Sequence, residues 1–166
     1  MAERDAAALG PVFITGAERS GTSLMFALLA SHSRLSMSRR SNMWRWFYGK
    51  FGSLDDSGNR KRAIDTLSRY GRLDALHPDW DRISEELAQG PATYGRLFDL
   101  IHSHHAEAQG KPRWGDKSLH TEYFANDVFR EFPNARMIHL IRDPRDRYAS
   151  ISRRYDRPAK GLSLIH

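Results

Sequence analysis

The chain has 166 residues, 40% hydrophobic and 28% charged, with 26 Lys and Arg against 20 Asp and Glu and a formal net charge of +6. That length suits one domain with a real core, and the composition is ordinary for a soluble globular protein. The absence of cysteine excludes disulfides, thiolate metal sites and a cysteine nucleophile, and no apolar run is long enough to cross a bilayer.

Residues 1–10 carry charge without a long apolar core, which argues against a signal peptide. They read as a flexible tail, and the expected location is cytoplasmic. The first strong element is residues 12–16, an apolar, β-branched run that predicts a buried strand. A helix follows from Ser20 to Ser31, with Leu24, Met25, Leu28 and Leu29 on one broad face. Residues 33–41 are polar and basic, a loop or short edge strand. Met43 to Tyr48 is aromatic-rich and starts another helix, its rings expected in the core rather than under a ligand. Gly49 to Asn59 reads as a loop. Residues 60–70, 81–88 and 92–108 read as helices, the last with Tyr94, Leu97, Phe98 and Ile101 at helical spacing. Gly110 to Pro112 ends that helix.

Thr121 to Phe132 predicts one more amphipathic helix, with Tyr123, Phe124, Val128, Phe129 and Phe132 inward. Pro133 and Asn134 turn the chain into a second strong strand, residues 136–141. The next helix start is well specified: Asp143 suits the N-cap, and Pro144 the first helical position. Asp146 falls in the first turn, where the helix dipole favours it. Strands separated by helices indicate a parallel α/β sheet. The long helical stretch between the two strands is an insertion beside the ligand crevice.

Two of these strand-to-helix junctions carry phosphate chemistry. Gly16-Ala-Glu-Arg-Ser-Gly21-Thr22-Ser23 has the glycine spacing of a phosphate-binding loop, which lets several backbone N–H groups point at an anion. A nucleoside triphosphatase would place Lys after the second glycine, and a metal-binding hydroxyl next to it. Thr22 stands in place of that Lys, and the cation is inside the loop, at Arg19. At the second junction Arg142 leaves a strand end, the edge where parallel α/β sheets bind ligands. Ser150 lies about two helical turns further on. A guanidinium and a hydroxyl converging there would clamp a phosphate. The alternative pairs Arg142 with Asp143 or Asp146 and leaves Ser150 facing solvent. Locally the charge is concentrated, with seven basic against three acidic residues from Arg142 to Lys160.

Taken jointly, Arg19-Ser-Gly-Thr-Ser23 and Arg142-Asp-Pro-Arg-Asp with Ser150 resemble the sulfotransferases that use 3′-phosphoadenosine 5′-phosphosulfate (PAPS). Trp114-Gly-Asp-Lys117 resembles a third motif, of the tyrosylprotein and bacterial branches. The resemblance implies a P-loop-like three-layer α/β fold with a central parallel sheet, and transfer of a sulfuryl group to an acceptor hydroxyl or amine. It assigns Arg19, Ser20, Gly21, Thr22 and Ser23 to the 5′-phosphosulfate, and Arg142 and Ser150 to the 3′-phosphate. Arg19 falls where many members have Lys, and its charge would stabilise the leaving phosphate as the S–O bond breaks. Lys117 would assist at the sulfuryl group.

The resemblance does not transfer a base. The stretch corresponding to the family's Glu, Leu35 to Ser41, has no carboxylate. His120, just after Lys117 and Ser118, is the preferred base; Glu18 is a weaker candidate, and His32 a helix cap. His102, His104 and His105 crowd one helical face, but no metal is expected. Arg39, Arg40 and Arg45 read as a solvated basic loop or as the wall of an acceptor cleft. The sulfotransferase domain is expected over residues 11–157, incomplete at its C-terminal end, with residues 158–166 a tail of possible non-native origin. The expected partners are the nucleotide donor and a small-molecule, carbohydrate or peptide acceptor, without nucleic acid or membrane insertion. The competing functions are a P-loop kinase or ATPase, which Thr22 argues against, and a basic polyanion-binding module. No stripe of aromatics interleaved with basic residues supports the latter.

Overall fold

The computed structural model describes residues 10–155. The expectations for the two terminal tails lie outside the described residues. In chain order the elements are β1 (Val12–Gly16), α1 (Thr22–Ala30), β2 (Leu35–Arg39), α2 (Met43–Trp46), α3 (Ser57–Leu67), α4 (Trp80–Ala88) and α5 (Tyr94–Ala108). Then come β3 (Arg113–Lys117), a 3₁₀ turn (Thr121–Phe124), α6 (Ala125–Glu131), β4 (Arg136–Leu140) and α7 (Pro144–Tyr155). The strands form one four-stranded sheet in the order β2-β3-β1-β4, and every pairing is parallel. The fold is therefore the α/β class that the alternation of elements implied, with helices flanking a central parallel sheet.

β1 is buried along its whole length, as its apolar run demands of an inner strand. Its neighbour β3 is the strand the sequence conceals. Arg113-Trp-Gly-Asp-Lys117 has one apolar side chain and no alternation, yet all but Arg113 are buried. Close packing explains Gly115: a Cβ there would lie 2.5 Å from Met37 Sδ and 2.6 Å from the Val12 carbonyl oxygen. Hydrogen bonds explain Asp116. Its carboxylate accepts from the hydroxyls of Ser38 (2.6 Å), Ser41 (2.9 Å) and Ser118 (2.6 Å). Burying a charge is tolerated when each lone pair finds such a donor.

The helical insertion, α2 to α5, supplies most of the core. Phe13 of β1 meets Trp44 at 6.1 Å and Trp114 at 5.6 Å between ring centroids, both edge-on, the geometry the ring quadrupoles favour. Trp44 meets Phe98 likewise at 5.4 Å. The aromatic run near Met43 is thus core, with Trp46 the exposed exception. Asp56, Asp79 and Thr93 cap α3, α4 and α5 by accepting from the N–H groups of Asn59, Arg82 and Arg96. These caps set the helix starts, which periodicity alone locates loosely.

Two expectations about helix faces are corrected. Leu24 and Leu28 of α1 are 67% and 59% exposed. Apolar residues lie all round this helix, and only the side against β1 and β2 is covered. The segment from Thr121 to Glu131 is not one helix: a 3₁₀ turn precedes α6. Its tighter winding rotates the face. Val128, Phe124 and Phe132 stay inward, while Tyr123 and Phe129 are exposed.

Candidate active site

β1 delivers the glycine-flanked loop to the C-terminal edge of the sheet. Gly16 has φ 134°, and a Cβ on it would sit 2.4 Å from the Leu140 carbonyl oxygen, so no side chain fits where β1 and β4 diverge. The loop then folds tightly: Ser20 donates to the Ala17 carbonyl through both its N–H (3.2 Å) and its hydroxyl (2.7 Å). Gly21, at φ 101°, takes the N-cap position of α1 without a side-chain cap. The first N–H groups of α1 are left to a ligand, as a helix N-terminus that binds anions requires.

β4 delivers the second junction to the same edge. Asp143 caps α7, its carboxylate accepting from the Arg145 N–H at 2.8 Å and from the Arg145 guanidinium at 2.7 and 3.0 Å. This partner holds the Asp143 carboxyl below its ordinary range. Asp143 is thus taken up by Arg145, while Asp146 shares a cavity lining with Arg142 and Ser150. The two junctions, distant in sequence, touch. Arg142 Nη1 donates to the Arg19 carbonyl (3.3 Å), Arg147 Nε to the Glu18 carbonyl (2.7 Å), and Arg19 Nε to Ser150 Oγ (2.9 Å). A cavity of about 370 Å³ lies against this contact, lined by Arg19, Arg142, Ser150 and Arg153 among others. Arg153 escaped the sequence reading, although its place three residues after Ser150 puts it on the same helical face.

A larger cavity, about 600 Å³, opens on the other side of Arg19. Thr22, Ser23, Lys117 and His120 line it, together with Arg40, Arg45, Trp46 and Arg72. Lys117 ends β3, in register with Ile14 of β1. Its burial, reinforced by the nearby Arg40 charge, pushes the ammonium below the ordinary lysine range. His120 has φ 69°. Its Nδ1 is buried without a hydrogen bond and lies 3.9 Å from Glu122 Oε1. The other Glu122 oxygen accepts from the Thr15 hydroxyl, and the Glu122 N–H donates back to Thr15 Oγ1 at 3.3 Å. Tyr123 stacks on the imidazole at 5.6 Å, within 10° of parallel. His120 lines the cavity, with Nδ1 the ring nitrogen near Glu122. The spacing His120-x-Glu122 was the sequence signal for this pair, and it passed unnoticed.

Other candidates disperse. The Arg39 guanidinium lies over the Phe26 ring at 5.7 Å, away from Arg40 and Arg45, which do line the cavity. His32 Nδ1 accepts from the Arg34 N–H at 3.0 Å, a local turn. His102 stacks on Trp114, while His104 and His105 bond Glu86 and the Leu76 carbonyl. Glu18 lines the larger cavity. Non-glycine residues with positive φ concentrate here: Arg19, Arg40, Asn42 and His120 line the cavity, and His77 is the fifth among the described residues. Such conformations are costly and gather at functional sites.

Two cation-bearing turns and a cleft stand at the C-terminal edge of the parallel sheet, the edge at which proteins of this architecture bind ligands. The chain belongs to the sulfotransferase family, whose model matches residues 11–163. It is thereby a transferase of sulfuryl groups, in a family that generally takes its sulfate from PAPS. A comparison with curated proteins gives no match. Among the described residues no helix is long and apolar enough to cross a membrane.

Proposed function

We propose that this protein transfers a sulfuryl group from PAPS to an acceptor hydroxyl. The observation that carries the reading is the position of Arg19, which lines both cavities and bonds Ser150. A donor with a phosphate at each end of its ribose would span them. Residues 20–23 and Arg19 would hold the 5′-phosphosulfate, and Arg142 and Ser150, joined by Arg153, the 3′-phosphate. The Arg19–Ser150 bond then gives way to two bonds to the ligand.

In the reaction the acceptor oxygen attacks sulfur and a new S–O bond forms. The bond from sulfur to the bridging oxygen of the 5′-phosphate breaks, and adenosine 3′,5′-bisphosphate (PAP) leaves. The acceptor proton passes to His120 Nε2. Glu122 facing Nδ1 supports this choice, because a carboxylate there orients the imidazole. Arg19 offsets the charge growing on the leaving phosphate. Lys117 sits where it would contact the sulfuryl oxygens, and an anion beside it favours its protonated form.

A triphosphatase reading is poorly supported. Thr22 takes the place of the lysine, and Asp116, on the strand paired with the loop strand, is already held by three serines. Calorimetry with PAP in EDTA tests the proposal. Binding without magnesium is the expected result, weakened by Arg142→Ala. No heat at millimolar PAP, or tighter binding of ATP with magnesium, would overturn it.

A further inference from the structure

The larger cavity holds more positive charge than the donor uses. Six cations line it, Arg19, Arg40, Arg45, Arg72, Lys117 and Arg142, against one carboxylate, Glu18. The proposed function assigns Arg19 and Lys117 to the phosphosulfate and Arg142 to the 3′-phosphate. Arg40, Arg45 and Arg72 remain in the lining, Arg40 beside the end of β3. Even with one of them balanced by Glu18, a surplus stays.

Arg40 and Arg45 have defined surroundings, and all three residues are exposed. Arg40 holds φ 64°, and its N–H donates to the Lys117 carbonyl at 2.8 Å, so its backbone is tied to the β3 end. The Arg45 guanidinium lies 4.9 Å from the centroid of the Trp46 ring, and Lys50 lies 5.7 Å from the same ring. Cations over an indole are attracted to its face. Trp46 therefore orients positive charge instead of offering a bare stacking surface. Leu119 and Trp46 are the only large apolar side chains in the lining. A steroid, a lipid or a tyrosine ring needs apolar walls to pay for desolvation, and this cavity does not supply them.

Resting on the sulfotransferase reading, we infer that the acceptor is an acidic saccharide. Its reacting hydroxyl sits beside a carboxylate that Arg40, Arg45 and Arg72 bind. A sugar ring carries many hydroxyls for a polar wall and needs little apolar surface. Guanidinium groups match a carboxylate with paired donors. An acidic peptide shares the charge but brings an aromatic ring or an extended backbone, for which the lining has no place.

The test is calorimetry on the whole chain, with and without saturating PAP, using a hyaluronan hexasaccharide as probe. Its carboxyl-reduced form, neutral chitohexaose and a glutamate-flanked tyrosine peptide are the comparisons. The hyaluronan probe is expected to bind, and the carboxyl-reduced form to bind about tenfold more weakly or worse, the usual worth of a hydrogen bond to a charged group. The double variant Arg45→Ala with Arg72→Ala should lose the same discrimination while its PAP affinity stays. Equal binding of the reduced saccharide, no saccharide binding, or preference for the peptide each overturns the inference, and the first uses unmodified protein throughout. Failure to bind PAP, with the saccharide discrimination intact, strikes the donor reading alone.

Discussion

The two sides of the cleft are built differently. The side proposed to hold the donor comes from two short contiguous segments, each a strand, a turn and a helix start, and it presents backbone N–H groups and a few guanidinium groups. The facing side is assembled from pieces with no common motif: Arg40 after β2, Arg45 and Trp46 in α2, Arg72 after α3, and His120 after β3. A backbone cradle depends on chain conformation and tolerates few substitutions where it turns. A side-chain wall keeps its fold when its chemistry is changed. On the proposed function, the first would hold the donor and the second would define the acceptor.

Several substitutions would break or sharpen that contrast. His120→Ala removes the proposed proton acceptor and should lower kcat by about a hundredfold to ten-thousandfold, with PAP affinity by calorimetry preserved. A drop in PAP affinity of the same size would place His120 on the donor side. Gly16→Ala strikes the cradle's backbone. A Cβ 2.4 Å from a carbonyl oxygen should cost about 3 kcal/mol of stability by chemical denaturation, and an unchanged midpoint would show that the loop can shift. Arg19→Ala should weaken PAP binding about tenfold to a hundredfold with little change in thermal stability, since its partner Ser150 is left able to bond water.

Glu122→Gln tests the link between strand and base. The expected change is a fall in kcat with PAP affinity preserved, because the carboxylate that faces His120 is lost. A purely structural role would lower stability and leave kcat where it is. Lys117→Met is the smallest. Burial lowers the Lys117 pKa in the folded state, so its charged form opposes folding at neutral and acid pH. That penalty fades as pH rises from the depressed folded value through the ordinary lysine value. The variant should therefore gain slightly in stability near neutrality and lose that advantage at high pH, read by denaturation at a series of pH values, while binding PAP less well.

What the sequence disclosed follows the same division. β1, β4, α5 and the cap at Asp143 were legible because each is specified by neighbours along the chain: an apolar run, a helical repeat, an Asp-Pro start. The donor-side residues were legible for the same reason. β3 was not, because its burial rests on a missing side chain at Gly115 and on hydroxyls from Ser38, Ser41 and Ser118 around Asp116. These are tertiary facts that periodicity does not carry. Arg72 and Thr15 were hidden likewise. Neither belongs to a motif, and each acquires meaning from what the fold sets opposite it. The exposure of Leu24 and Leu28 is a related case, since a repeat of apolar residues states that a face exists and not that anything covers it.

The bond between Thr15 and Glu122 ties two parts of the site to one strand. Thr15 immediately precedes Gly16, so the group that faces the proposed base is fastened to the same strand that carries the glycine loop. Arg40, Arg45 and Arg72 are carried instead by the segments after β2, within α2 and after α3. A change in one of those segments can therefore redraw the arginine wall while leaving the spacing between Glu122 and the glycine loop to β1.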